Sequence, residues 1–262
     1  LLSTARINLE ILEALPAHVE AVAVASRDAA RAEAYAREHG LARAHGSYEG
    51  LLADREVDAI YIPLPNGLHH EWTMRSLRAG KHVLAEKPYS RHPGEVEEAF
   101  DLADASGLVL MEAFMYRHHP QTRIAADLVA GGAVGRLRTV RSSSGFTLPA
   151  GDVRFDTELD GGALMDVGCY TVSASRLLAG EPEHVYGEQV VGETGIDLAF
   201  HGTLRCPGDV VAQFDCSFVQ ARGQRLAAVG EEGKLVDETP FRPDWRGVAL
   251  LVRDGETTRV DV

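Results

Sequence analysis

The sequence predicts an α/β protein in two parts. The first is a doubly wound parallel sheet, and the second is an α+β domain on an open, mostly antiparallel sheet. Three observations predict this. In the first part, short apolar runs alternate with helical segments, and glycines stand where those helices stop. In the second part, strand-length runs follow one another across short turns. The 262 residues are also enough for two domains of ordinary size, each with its own core.

Residues 19–25 (VEAVAVA) form an apolar run of strand length, and residues 28–39 read as a helix that Gly40 is placed to stop. Residues 58–64 (DAIYIPL) are a second strand, and a helix over 68–79 closes on Gly80. Residues 81–85 (KHVLA) are a third strand, Pro93 opens a helix that runs to Gly107, and 108–112 (LVLME) are a fourth strand. Strand and helix alternating at this spacing make βαβ units and hence a parallel sheet. Its strands are nearly continuous apolar runs, as expected when helices cover both faces.

After a helix over 120–130 and the turn Gly131-Gly132, strands are predicted at 136–146, 184–191, 196–205, 210–218, 225–229, 235–237 and 248–252. One helix, over 163–178 and ended by Gly180, interrupts them. Glu232-Gly233 and Asp254-Gly255 read as hairpin turns, and strands joined by such turns are antiparallel. The expected domains are 1–115 and 116–262.

Composition narrows the function classes. The formal net charge is −13, whereas nucleic-acid binding needs a basic surface, so no nucleic-acid partner is expected. No run of about 20 apolar residues is present to span a membrane, and no basic segment followed by an apolar one marks a secretory leader. The cysteines Cys169, Cys206 and Cys216 form no Cys-x-x-Cys pair, and their odd number argues against a disulfide framework. They read as thiols in a reducing compartment, which makes the cytoplasm the default location. The adjacent pairs His69-His70 and His118-His119 point apart, so no metal site is predicted. No Gly-x-Ser-x-Gly elbow occurs to support serine-hydrolase chemistry.

Open α/β sheets bind ligands at the carboxyl ends of their strands. Polar residues gather at those ends here: Ser26-Arg27-Asp28, then Pro63-Leu64-Pro65-Asn66 with His69 beyond, then Glu86-Lys87-Pro88, then Glu112-Ala113. The opening residues Ser3, Thr4, Ala5, Arg6 and Ile7 stand where a phosphate-binding turn would lie, with Ser3, Ala5 and Asn8 in place of the glycines of Gly-x-Gly-x-x-Gly. Ser3 or Thr4 capping a helix is the alternative. The strand before that turn is reduced to Leu1-Leu2, so residues ahead of Leu1 are expected to be missing. A hydroxyl and a guanidinium at Ser26-Arg27 suit a ribose 2′-phosphate and favour NADP over NAD. The alternative is an exposed helix start capped by Asp28. Lys87 alone reads as a surface charge at a strand end.

The segments Ser-Thr-Ala-Arg-Ile (3–7), Ala-Ser-Arg-Asp (25–28), Pro-Leu-Pro-Asn-Gly-Leu-His (63–69), Ala-Gly-Lys-His-Val-Leu-Ala-Glu-Lys-Pro (79–88), Met-Glu-Ala-Phe-Met-Tyr-Arg-His-His-Pro (111–120) and Gly-Gly-Ala-Leu-Met-Asp-Val-Gly-Cys-Tyr (161–170) occur in this order. In them the chain resembles the glucose-fructose oxidoreductase / inositol 2-dehydrogenase / MocA family over essentially its whole length. The nearest branch is that of dimeric dihydrodiol dehydrogenases and pyranose dehydrogenases or ketoreductases. The resemblance implies a Rossmann domain and a second domain whose open sheet packs in homo-oligomers, dimers or tetramers. It implies that Lys87 lies between nicotinamide and substrate, and that Asp166 and Tyr170 line the substrate side. The chain departs from the family at Ser3, which replaces the first fingerprint glycine. It also stops at Val262, where the family continues, so a C-terminal segment is expected to be missing and to leave apolar surface uncovered. Tyr116, Arg117, Phe146 and Arg154 are candidates for lining a pocket for a polar ring compound.

The expected chemistry is hydride transfer between a nicotinamide and a hydroxyl or carbonyl carbon of a sugar, cyclic polyol or trans-dihydrodiol. A tyrosine hydroxyl titrates at about 10, too high for a base at neutral pH, and a neighbouring ammonium favours the phenolate. Tyr170 is thus the expected proton carrier, with Lys87 its assistant. Asp166 and Tyr170, four residues apart, would share one helix face, from which Asp166 orients a substrate hydroxyl or holds Lys87. Two other readings stand beside this one. The first is an enzyme that recycles a tightly bound cofactor, as a sugar–sugar oxidoreductase or an NAD-dependent hydrolase. The second is a non-catalytic nucleotide or sugar sensor.

Overall fold

The computed structural model describes residues 1–242 and 249–260. The chain divides into two compact units, Leu1–Ala113 and Phe114–Val262.

In the first unit, β1 (Ala23–Ala25) pairs parallel with β2 (Arg43–His45), and β3 (Ala59–Ile62), β4 (His82–Ala85) and β5 (Leu110–Glu112) form a second parallel ladder. Leu1-Leu2 joins the two. Ala25 N donates to Leu1 O at 3.0 Å, and Leu2 N donates to Tyr61 O at 2.9 Å. The order is therefore β2, β1, Leu1-Leu2, β3, β4, β5. The chain first builds to one side of Leu1-Leu2 and then to the other, which makes this line the switch point of the sheet. The helices are α1 (Asn8–Ala14), α2 (Ala29–His39), α3 (Tyr48–Leu52), α4 (His69–Arg78) and α5 (Pro93–Ser106). Asp28 caps α2 by accepting from Arg31 N at 3.2 Å. Gly40 ends it in the left-handed region at φ 69°, where a side chain would be strained.

Leu2, Ala25, Ile60, Ile62, Val83 and Leu77 are buried in one apolar core, as the continuous apolar runs predict. Two expectations change. The strand over 19–25 shortens to three residues, because Val19 is half exposed in a turn that bonds Val19 N to Pro16 O at 2.9 Å. The elements β2 and α3 were not anticipated. Arg43, Ala44 and His45 are all only half-buried, so their strand carries no apolar period.

The second unit holds β6 (Leu137–Gly145), β7 (His184–Val191), β8 (Asp197–Cys206), β9 (Val210–Ser217), β10 (Gly223–Gly230), β11 (Gly233–Asp237), β12 (Ala249–Arg253) and β13 (Glu256–Val260). They form one sheet in the order β13-β12-β11-β10-β6-β9-β8-β7. Every pairing is antiparallel except β6 with β9, which is parallel. The helices α6 (Pro120–Ala130) and α7 (Cys169–Ala179) complete the unit. Along β6, Val140, Ser142 and Ser144 are buried while Arg141 is exposed, the alternation of a sheet covered on one face. Ser142 Oγ reaches Thr171 O of α7 at 3.1 Å across the covered face.

Three corrections belong to this unit. The predicted helix over 163–178 is not uniform: a π-helical turn, Leu164–Gly168, precedes α7. The β10–β11 hairpin closes over Glu231-Glu232, one residue early, because Gly233 already pairs with Arg253 in the ladder. The edge strand β13 was not anticipated, because Glu256, Thr257, Thr258 and Arg259 are all exposed and carry no apolar signal. The predicted strand over 248–252 starts on a residue outside the described ones, and β12 covers its remainder. Among the described residues, no helix is long and apolar enough to cross a membrane.

Candidate active site

In the first unit, the sequence-predicted residues lie at the carboxyl ends of the parallel strands, on both sides of the switch point. Ser26-Arg27 follows β1, Pro63 to Asn66 follow β3, Glu86-Lys87 follows β4, and Glu112-Ala113 closes β5. The opening turn holds its shape without glycines. Ser3 Oγ accepts from Ala5 N at 3.1 Å, and the buried Asn8 side chain donates to Ser3 O at 2.7 Å. Neither Ser3 nor Thr4 caps α1; its N-cap is Ile7, with no side-chain cap bond. The amide end of that turn is therefore not closed by a side chain of its own helix. Ser26 is buried and accepts from Asp28 N at 3.2 Å, while Arg27 is exposed beside it. This donor set fits a dinucleotide with a phosphorylated ribose: small residues at the switch point, with a hydroxyl and a guanidinium at the end of β1.

Lys87 is half-buried on a loop tied down from three sides, and its peptide bond to Pro88 is cis. Tyr61 OH donates to Glu86 Oε1 at 2.6 Å, and Lys87 N lies 3.3 Å from Glu86 Oε2. Tyr89 N donates to Glu112 Oε1 at 2.8 Å. The His69 ring spans the carbonyl oxygens of Pro88, at 2.8 Å from Nδ1, and Leu64, at 2.7 Å from Nε2. His69 is only 1% exposed, and burial pushes its pKa down. The expectation that His69 touches the cofactor is corrected. Both nitrogens face backbone carbonyls, so the ring braces the Lys87 loop against the end of β3. Glu86 and Glu112, expected as cofactor contacts, likewise use a carboxylate oxygen on the chain itself. Ala113 N is spent on Ala85 O at 2.8 Å.

In the second unit, two glycines shape the approach to Asp166. A Cβ on Gly161 would fall 2.2 Å from Arg154 O, and Gly162 has φ +123°, a conformation L side chains rarely adopt. Beyond them the π-helical turn begins, with Leu164 N donating to Asp197 Oδ2 at 2.6 Å. Such turns are frequent at functional sites. Asp166 sits inside it, 6% exposed, with Oδ2 at 2.9 Å from Arg154 Nε. Because i→i+5 bonding widens the turn, the four-residue spacing to Tyr170 no longer defines the shared face expected of an α-helix.

The Tyr170 ring is half-buried in an aromatic group. Its centroid lies 5.5 Å from Phe114, 5.8 Å from Tyr116 and 5.6 Å from Phe241. Tyr116, expected to line the substrate pocket, is instead core. It is 1% exposed and its hydroxyl donates to Ser173 Oγ at 2.7 Å. Burial pushes its pKa up to about 12. Arg117 is exposed, with Nη1 at 3.4 Å from Ser173 Oγ. Phe146 packs in a different cluster, against Phe218 at 5.9 Å, and the Arg222 guanidinium lies 5.5 Å from its ring centre. Tyr116 is therefore core, and Phe146 belongs to a hydrophobic cluster different from that of Tyr116 and Tyr170. Sequence reasoning missed Asp197 and Phe241, which lie far along the chain from Asp166 and Tyr170 and outside any motif.

A doubly wound sheet with a polar switch-point edge, and a second unit presenting a buried carboxylate and a tyrosine, together define a dinucleotide-dependent redox protein of two domains. Comparison with known proteins gives the family. Residues 5–114 match the oxidoreductase family with an NAD-binding Rossmann fold, and residues 122–236 match the GFO/IDH/MocA C-terminal domain. The chain belongs to the GFO/IDH/MocA oxidoreductase family. It is 42% identical to D-xylose 1-dehydrogenase (NADP(+)) 2 of Haloferax volcanii, over 92% of this chain and 84% of that one. It is 41% identical to a dTDP-3,4-didehydro-2,6-dideoxy-alpha-D-glucose 3-reductase of Streptomyces violaceoruber, over 93% of this chain and 73% of that one. A 3-ketoreductase from Actinomadura kijaniata, solved with NADP and TDP-benzene, superposes with a TM-score of 0.89 at 34% identity, covering 99% of this chain and 82% of that one.

Proposed function

We propose that the protein is an NADP-dependent dehydrogenase or reductase acting on a hydroxyl or carbonyl carbon of a sugar or sugar-like ring. The observation that carries this is the Lys87 loop, held by His69, Glu86 and Glu112 at the edge of the sheet where a dinucleotide binds. The names of the relatives support the class: one oxidises an aldose with NADP and another reduces a nucleotide-linked keto sugar. NADP supplies the hydride donor or acceptor when bound. The turn of Ser3, Thr4, Ala5, Arg6 and Ile7 would hold its pyrophosphate, and Ser26 and Arg27 its 2′-phosphate. Pro63, Leu64 and Asn66 lie along the same edge.

In the second unit, Tyr170 is the proton carrier and Asp166 the acceptor of a ring-hydroxyl hydrogen bond; in the first, Lys87 is the positive charge at the carboxyl end of β4. We also propose that the protein works in the cytoplasm as a homo-oligomer. Strand β7, exposed along its whole length with Val185 66% and Tyr186 69% exposed, is the surface that favours assembly.

The test is a nicotinamide absorbance assay with NADPH and NADH against aldoses, inositols, trans-dihydrodiols and a dTDP-keto sugar. Turnover of a sugar with NADP is the expected result. Cofactor binding without turnover of any substrate would favour a sensor. Cofactor retained through purification and recycled between two sugars would favour the internally recycled reading. Light scattering reads the oligomeric state.

A further inference from the structure

We propose that Arg154 is a positioning residue that aims the Asp166 carboxylate. The inference rests on the proposed role of Asp166, and it changes the part expected of Arg154, which the sequence suggests as a pocket residue.

A closed circuit of bonds carries it. Gly162 N donates to Arg154 O at 3.0 Å, and Asp166 N donates to Gly162 O at 3.0 Å. The side chains then close the ring, with Arg154 Nε at 2.9 Å from Asp166 Oδ2. The backbone part of this circuit is rigid. Gly161 leaves no room for a Cβ against Arg154 O. The π-helical turn is pinned at its start by Asp197, and at its end by Thr171 Oγ1, which donates to Gly168 O at 2.8 Å. With the main chain held, the freedom left to Asp166 is rotation of its side chain, and the guanidinium opposes that rotation.

The charge arrangement points the same way. Asp166 is 6% exposed, and a carboxylate so buried is costly without a counter-charge. Arg154 is itself held on a second side, with Nη1 at 3.2 Å from Asp152 Oδ2. Two edges of one planar fork thus engage two carboxylates in fixed directions, which a lysine ammonium cannot reproduce. Nε and Nη1 are the donors used in this way, one on each carboxylate.

The experiment compares Arg154→Gln, Arg154→Lys, Asp166→Asn and the double variant Arg154→Gln/Asp166→Asn in the full chain. The expected result for Arg154→Gln is a fall in kcat of about 10- to 100-fold with KM changed less than about threefold, the pattern of lost alignment. Arg154→Lys keeps the charge and is expected to stay impaired, while added guanidinium ion partly restores Arg154→Gln. The double variant is expected to be no slower than Asp166→Asn. A second readout needs no cofactor or substrate: in thermal unfolding of the ligand-free chain, the double variant is expected to melt no lower than the worse single variant. That coupling, seen in a chain that turns over no sugar, would support the tie while overturning the functional reading. Additive melting shifts, or a raised KM at unchanged kcat in Arg154→Gln, would overturn the proposal.

Discussion

The two units hold their candidate side chains by different means. In the first, the Lys87 loop is tied by polar side chains to backbone atoms. His69 spans two carbonyls, and Glu112 receives an amide. In the second, Tyr170 is held by aromatic rings, and Asp166 by one guanidinium and a π-helical turn. The difference follows from location. The strand ends of a parallel sheet leave backbone groups unpaired, and side chains must satisfy them. A helix lying on a sheet already has its backbone paired, so ring packing and ion pairs are what remain to fix a side chain. One unit therefore positions through directional bonds that break singly. The other positions Tyr170 through distributed packing, which yields gradually, and Asp166 through an ion pair.

The largest effect is expected at the group the first unit holds. Lys87→Met should lower turnover by about 10²- to 10⁴-fold, the range for loss of a proton-transfer group or its assistant, in steady-state assays with saturating sugar. Near-normal turnover would remove Lys87 from the chemistry.

Next comes the brace. His69→Phe keeps a planar aromatic ring and removes the ring N–H, which a neutral imidazole can donate to one of the two carbonyls at a time. Turnover should fall by about 10- to 100-fold through misalignment of the Lys87 loop. The same variant tests a pH dependence. Burial lowers the His69 pKa, so the folded chain refuses a proton that the unfolded chain accepts just below about 6.5. Stability from this group is full above that pH and declines as pH falls through it. Glu86 opposes the shift and Lys87 adds to it. Melting curves from pH 7.5 to 5 should show a steeper acid loss for the unaltered chain than for His69→Phe. Identical slopes would mean that His69 does not titrate in this window.

Smaller effects belong to the aromatic and polar core of the second unit. Tyr116→Phe removes the hydroxyl bonded to Ser173 and should cost about 1 kcal/mol of stability, read by denaturant unfolding, with KM for sugar unchanged. A raised KM would return Tyr116 to the substrate surface.

An effect of similar size and opposite sign is expected at Asp237, which is 2% exposed and whose carboxyl burial pushes up in pKa. A folded-state pKa above the ordinary value means that stability falls as pH rises from about 3.9. Asp237 accepts from the Gln121 side chain and from Thr239 N, while Gln121 Oε1 is buried with no partner among the described residues. An asparagine amide can donate to that oxygen once the glutamine amide turns over. Asp237→Asn should raise the melting temperature at pH 7 by an amount worth about 1 kcal/mol, and the gain should shrink towards pH 4. A lowered melting temperature at pH 7 would show that the carboxylate is not a burden.

Much of this arrangement was legible beforehand. Helix stops were written as Gly40, Gly107 and Gly180, and α6 opens on Pro120. The strand ends carrying Ser26, Asn66, Lys87 and Glu112 were readable as one edge, because parallel strands must all end on the same side. The role of His69 was not legible. A histidine in a motif reads as a ligand, and only burial against two carbonyls shows it as a brace. The place of Tyr116 was not legible either: it stood as a pocket candidate, while its hydroxyl bonds to Ser173, 57 residues away. The π-helical turn left no mark either, because its composition is that of an ordinary helix.

The sequence alone determined the alternation of strands and helices, the edge of the first sheet where polar residues gather, and the family to which the chain belongs. These rest on local periodicity and on short motifs, which a linear chain records directly. Tertiary structure decided which of the predicted side chains are held by the protein itself: His69 by two carbonyls, Tyr116 by Ser173, and Arg154 by Asp152 and Asp166. A polar group's role depends on whether its bonds are already made, and its partners are brought to it by folding.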